Sequence, residues 1–136
     1  MARQQRRWVR IESLTNEEKA AIAALCERFI EETLMPRFLP EILPTRFNYA
    51  VELLGKWRGN RYSFATRFRS GFPDNTGEEF NSAFTRLDYV EGTPAGPRFD
   101  VMWLRHTGQW FRLHAGVTLE EALHLIETDS RLHPYT

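Results

Sequence analysis

Apolar positions recur along this chain at two periods, and the change from one to the other marks where helix gives way to strand. Thr15-Asn-Glu-Glu18 has the spacing of a capping box, in which a threonine hydroxyl and a glutamate three residues on satisfy each other's backbone N–H groups. After it Ile22, Leu25, Cys26, Phe29 and Ile30 fall at i, i+3, i+4, i+7 and i+8, one stripe of an amphipathic helix. Pro36, Pro40 and Pro44 predict the end of that helix and an extended crossing.

From Thr45 the period becomes two. The runs 46–58 and 61–70 meet at Gly59-Asn60, a two-residue hairpin turn. That turn pairs Arg58 with Arg61. It sets Trp57 opposite Tyr62, Leu53 opposite Thr66 and Val51 opposite Phe68 on one face, and Lys56 with Ser63 and Glu52 with Arg67 on the other. Residues 71–79 read as a loop and 80–90 as a third strand, with Leu87 and Tyr89 on the core side; 92–97 is a second loop.

Strands 98–105 and 110–115 follow, and taking Thr107-Gly108 as their turn sets Leu104 opposite Phe111 and Met102 opposite Leu113. The other face then receives Arg105 with Trp110, Trp103 with Arg112 and Val101 with His114. Thr118-Leu-Glu-Glu121 is a second capping box, and its helix carries the stripe Leu119, Ala122, Leu123 and Ile126. The expected fold is α+β: a five-stranded antiparallel meander with an N-terminal and a C-terminal helix packed on one face.

The 136 residues are read as one domain, 1–136, with 1–13 as a flexible N-terminal arm. Eighteen basic residues balance eighteen acidic ones, so no global field draws polyanions, which counts against a dedicated nucleic-acid binder. Only Lys19 and Lys56 are lysines, and we read the arginine excess mainly as a base-composition bias. The single cysteine, Cys26, excludes an internal disulfide framework and fits a reducing compartment. The charged start Met-Ala-Arg-Gln-Gln-Arg-Arg is not followed by an apolar stretch, and no run approaches a membrane span, so the expectation is a soluble cytoplasmic protein.

The runs Phe84-Thr-Arg-Leu-Asp-Tyr89, Phe99-Asp-Val-Met-Trp103, Gly108-Gln-Trp110-Phe-Arg112 and Leu123-His-Leu-Ile-Glu127, with Cys26-Glu27-Arg28 upstream, resemble a small bacterial family known as domain of unknown function 3024. The resemblance spans residues 20–133. This chain departs from the family pattern in having Phe111-Arg112 where a His-Arg pair follows the tryptophan, and in the stretch before Phe80. The resemblance implies a bacterial protein and carries over no activity and no catalytic residue.

Candidate chemistry concentrates on the last hairpin. Trp103, Arg105, Trp110 and Arg112 form a Trp/Arg checkerboard there, with His114 and Phe99 beside it, and these are the expected binding or interface residues. Tryptophan and arginine are enriched at interface hot spots, and they also stack on single-stranded nucleic acid. The structural alternative is that the arginine stems merely cover indole faces. Between Glu52 and Asp74 the chain has Lys56, Arg58, Arg61, Arg67 and Arg69 with no acid among them. Lys56, Arg58, Arg61 and Arg69 are candidate phosphate contacts, joined by Arg3, Arg6, Arg7 and Arg10 if the arm folds back. The plain alternative is a solvated, charged sheet edge.

His106, His114, His124 and His133 are scattered, so no metal site is indicated and no cofactor is called for. The loop oxygens of Asp74, Asn75, Glu78 and Glu79 lack calcium-loop spacing. Cys26 reads as a core residue. With Phe99, Val101 and Trp103 on the side the helices do not cover, the leading expectation is a non-enzymatic interaction module, a homodimer or a binder of a protein partner. The alternative is a single-stranded nucleic-acid-binding domain using the same face, and an enzyme stands third because no acid–base or nucleophile constellation can be assembled.

Overall fold

A computed structural model describes residues 13–135; the expected arm, with Arg3, Arg6, Arg7 and Arg10, lies outside the described residues up to residue 12. Helix α1 (Asn16–Phe29) runs through one π turn (Ile30–Leu34) into a short α2 (Met35–Phe38). Five strands follow: β1 (Asn48–Arg58), β2 (Arg61–Ser70), β3 (Glu79–Thr93), β4 (Gly96–Leu104) and β5 (Trp110–Val117). Helix α3 (Leu119–Thr128) and a single 3-10 turn (Ser130–Leu132) close the chain. The strands pair in sequence order, every pair antiparallel, which is the expected meander.

Both capping boxes form: Thr15 with Glu18, and Thr118 with Glu121. Pro36 does not end the first helix as expected. It has no N–H to donate, and the π turn just before it, in which the Met35 N–H reaches the Ile30 carbonyl, carries the helix past it. The helix stops at Leu39, before Pro40. The inward stripe is consequently Ile22, Cys26, Ile30 and Leu34, whereas Leu25, expected inside, is half exposed.

The first hairpin has the expected register from Arg58↔Arg61 through Glu52↔Arg67, and the Glu52–Arg67 ion pair forms. Beyond it a bulge at Val51 brings Ala50, not Val51, opposite Phe68, and Ala50 is buried. A second bulge sends both Phe84 and Thr85 of β3 into the core. The expected loop 92–97 shrinks to a tight turn, with Thr93 paired to Gly96.

One core results, between the helices and a single sheet face. Tyr62, Phe64, Leu87, Phe99 and Val101 from the strands meet Cys26, Leu34, Ala122, Ile126 and Leu132. Each such side chain contributes about 1.5–3 kcal/mol of apolar transfer. Hydrogen bonds tie the sheet to the helical layer, Trp57 Nε1 donating to the Lys19 carbonyl (2.9 Å) and Thr85 Oγ1 to that of Leu132 (2.8 Å), while Arg37 of α2 donates to the Glu127 carbonyl of α3 (3.0 Å). Among the described residues no helix is long and apolar enough to cross a membrane.

Gly55 faces this core opposite Phe64, and Tyr62 lies across it. A Cβ at position 55 would overlap the Tyr62 hydroxyl oxygen and stand 2.5 Å from Cζ of that fully buried ring. Gly55→Ala is therefore expected to lower stability by about 1–3 kcal/mol in urea unfolding, as overpacking does. Stability unchanged from wild type would show that the ring is free to move.

Burial, with a smaller push from Glu27, raises the Cys26 thiol from 9.0 to about 12. Burial likewise raises the Tyr62 phenol, reinforced by Cys26 and Glu27. Both groups ionise more easily in the unfolded chain, so the contribution of Cys26 is intact below pH 9 and is lost as pH rises from 9 toward 12, while that of Tyr62 starts to fall above pH 10. Unfolding midpoints measured across that range are expected to fall, and to fall less in Cys26→Ala.

Candidate functional site

The outer face of the sheet has no helix over it, and the register decides what stands there. Cross-strand partners share a face. Row by row, the outer face presents Arg58, Arg61, Asp88 and Asp100; then Lys56, Ser63, Arg86, Met102 and Arg112; then Leu54, Ala65 and Ala83, with Leu104 and Trp110 completing it toward β5. The small side chains in the middle leave a shallow concavity of about 370 Å³, whose rim includes Lys56, Arg58, Arg61, Arg86 and Trp110. Four cations and no carboxylate line it.

Arg86 is the fixed element. Its Nε and Nη2 donate to the two carboxylate oxygens of Asp88, at 2.6 and 2.9 Å. Its guanidinium also lies over the Trp110 ring, 4.6 Å from the centroid. Asp88 stands 3.8 Å from Arg61 on its other side. Lys56 and Arg58 are exposed and have no ion-pair partner among the described residues. This arrangement offers an anion several donors beside an aromatic plane, the mixture that phosphate and base contacts use.

The last hairpin differs from expectation by one residue. Arg105 N–H bonds to the Gln109 carbonyl (3.0 Å), so the loop is His106-Thr107-Gly108, with Gly108 left-handed at φ 84°. A three-residue loop with glycine in that conformation is the common alternative to the two-residue turn. Leu104 therefore faces Trp110, Trp103 faces Phe111 and Met102 faces Arg112; a bulge at Leu113 then restores the expected pair Val101↔His114.

The checkerboard is accordingly split. Trp110 and Arg112 stand on the outer face, with Arg112 held 3.6 Å from Asp100. Trp103 and Arg105 stand on the helix side, where Arg105 covers both Trp103 and Phe111, and Arg131, forked onto Asp129, covers Trp103 from the 3-10 turn after α3. Phe99 and Val101 have no exposed surface, which corrects their expected position on the uncovered face. They alternate with Asp100 and Met102, and it is Asp100 and Met102 that look outward. His114 is on the helix side, its Nε2 buried without a hydrogen-bond partner among the described residues.

Of the expected phosphate contacts, Lys56, Arg58 and Arg61 come together in the concavity. Arg69 is on the same face but is held by Glu79 at 2.7 Å, an interaction that also raises its pKa. Arg86 and Asp88 were not singled out in the sequence. Their i, i+2 spacing on a strand was the available signal, but their place opposite Ser63 and Arg61 needed the β2–β3 register. Among the described residues no three or more His, Cys, Asp or Glu side chains gather as metal ligands.

A family model described as "Domain of unknown function (DUF3024)" matches residues 14–133. No curated protein and no solved structure matches the chain.

The loop geometry is testable. A residue with a Cβ in the left-handed region costs about 1–2 kcal/mol, so Gly108→Ala is expected to destabilise by that amount in urea unfolding. An unaffected midpoint would favour a turn in which residue 108 has negative φ.

Proposed function

We propose that this chain, which belongs to the DUF3024 family, is a non-enzymatic binding module whose outer sheet face takes single-stranded nucleic acid. The observation that carries this reading is the concavity lined by Lys56, Arg58, Arg61, Arg86 and Trp110, with no carboxylate in the lining. Phosphates supply the partner for the cations, and an unpaired base supplies the planar partner for the indole and the Arg86 guanidinium. A duplex, with its bases stacked inside, offers no such partner.

Overall neutrality is compatible with this reading because the charge is segregated. The first helical stretch, through α2, holds Glu17, Glu18, Glu27, Glu31 and Glu32 against Lys19, Arg28 and Arg37, and α3 holds Glu120, Glu121 and Glu127 with no lysine or arginine. The acids therefore gather on the helix layer and the cations of the concavity on the sheet, so an approaching polyanion meets a local positive field. Self-association through an aromatic outer face has less support, since Phe99, Val101 and Trp103 belong to the covered side and only Trp110 remains from that aromatic set.

Titration with a short oligothymidylate or oligouridylate at low salt tests the reading. Saturable tryptophan quenching, lost in Trp110→Leu and weakened in Lys56→Glu and Arg58→Glu, is the expected result. The logarithm of affinity should fall with that of salt by about 0.7 per phosphate contacted. No binding at low salt would overturn the proposal, as would preference for duplex, or for an acidic peptide over either oligonucleotide.

A further inference from the structure

Asp88 is an acid that meets two cations of the concavity, and simple electrostatics would count it as a defect in a phosphate site. Its contacts say otherwise. The carboxylate meets Arg86 through two hydrogen bonds, at 2.6 and 2.9 Å, while standing 3.8 Å from Arg61. Both arginines line the concavity, and Asp88 itself does not. Arg86 is gripped edge-on by the carboxylate and face-on by Trp110, at 4.6 Å. Its side chain is only 13% exposed, against 59% for Arg61, so its flat guanidinium is set in one orientation rather than sampling solvent.

We propose, building on the nucleic-acid reading, that Asp88 is a positioning residue that pre-organises Arg86 against Trp110, so that the phosphodiester and base of a single strand meet an already ordered cation and aromatic plane. Holding the side chain before the ligand arrives removes an ordering cost that binding would otherwise meet. The Arg86 fork is satisfied along the edge that carries Nε and Nη2 and one side lies over Trp110, which leaves Nη1 and the side turned away from Trp110 for the ligand.

The prediction has a sign opposite to plain Coulomb attraction. Asp88→Asn deletes a negative charge next to a polyanion site, so without positioning it would tighten binding. With positioning, affinity for oligothymidylate at fixed low salt falls, roughly two- to tenfold for one freed side chain. Arg86→Lys keeps the charge and loses the fork, and should weaken binding similarly; the double variant should be little worse than either single one, because the two changes break one unit.

Ligand-free fluorescence, read as the difference from Trp110→Phe, reports whether Trp110 loses its arginine cover in Asp88→Asn. Urea midpoints identify any variant that merely unfolds, and Asp88→Glu, which restores the charge, should recover part of the affinity. Asp88→Asn binding as tightly as wild type or tighter, or an unchanged Trp110 signal, would overturn the role of Asp88 while leaving the groove reading standing. Failure of the wild type to bind at all would overturn the groove reading, and this inference with it.

Discussion

Everything in this molecule follows from covering a five-stranded sheet on one face only. Two helices of modest length supply one apolar stripe each, and both stripes are spent on the same side. Tyr62, Phe64, Leu87, Phe99 and Val101 are all drawn to that side by strand alternation; the bulge at Phe84 turns inward a ring that alternation would turn toward water, and those at Val51 and Leu113 shift the phase to bring Ala50 and His114 to the same side. The glycine at position 55 is part of the same constraint, since it makes room for the largest fully buried ring.

The uncovered face must then satisfy itself without an apolar partner. It does so with charge: Glu52 with Arg67, Arg69 with Glu79, Arg86 with Asp88 and Arg112 with Asp100. The exposed pairs among them, Glu52 with Arg67 and Arg69 with Glu79, contribute little to stability. The effect of the four pairs is positional. They fix where cations stand around a floor of Ser63, Ala65 and Ala83, and the small floor is what turns a flat sheet into a concavity. Arg86 is the least exposed of these arginines, and the only one of them lying over an aromatic ring of the concavity. The helix layer meanwhile collects much of the acid of the chain, so a protein with no net charge still has a basic face.

The sequence alone determined whatever depends on neighbours in the chain. Both capping boxes, the strand count and order, the Gly59-Asn60 turn and the register from Arg58↔Arg61 to Glu52↔Arg67 were legible because each is set within a few residues. Of the candidate site, Lys56, Arg58 and Arg61 were legible too, since that short turn fixes which of them share a face. Tertiary structure decided the rest. Arg86 reaches the concavity, and Asp88 its place beside Arg61, through a β2–β3 register that spans an eight-residue loop, Gly71–Glu78, whose turn chemistry does not state its pairing. The Trp/Arg checkerboard failed on one residue. Thr107-Gly108 serves a two-residue turn as readily as His106-Thr107-Gly108 serves a three-residue one, because a glycine can be left-handed in either. With a side-chain period of two, that single step sends Trp103 to the core and Trp110 to the water, and only packing against α3 chooses between them.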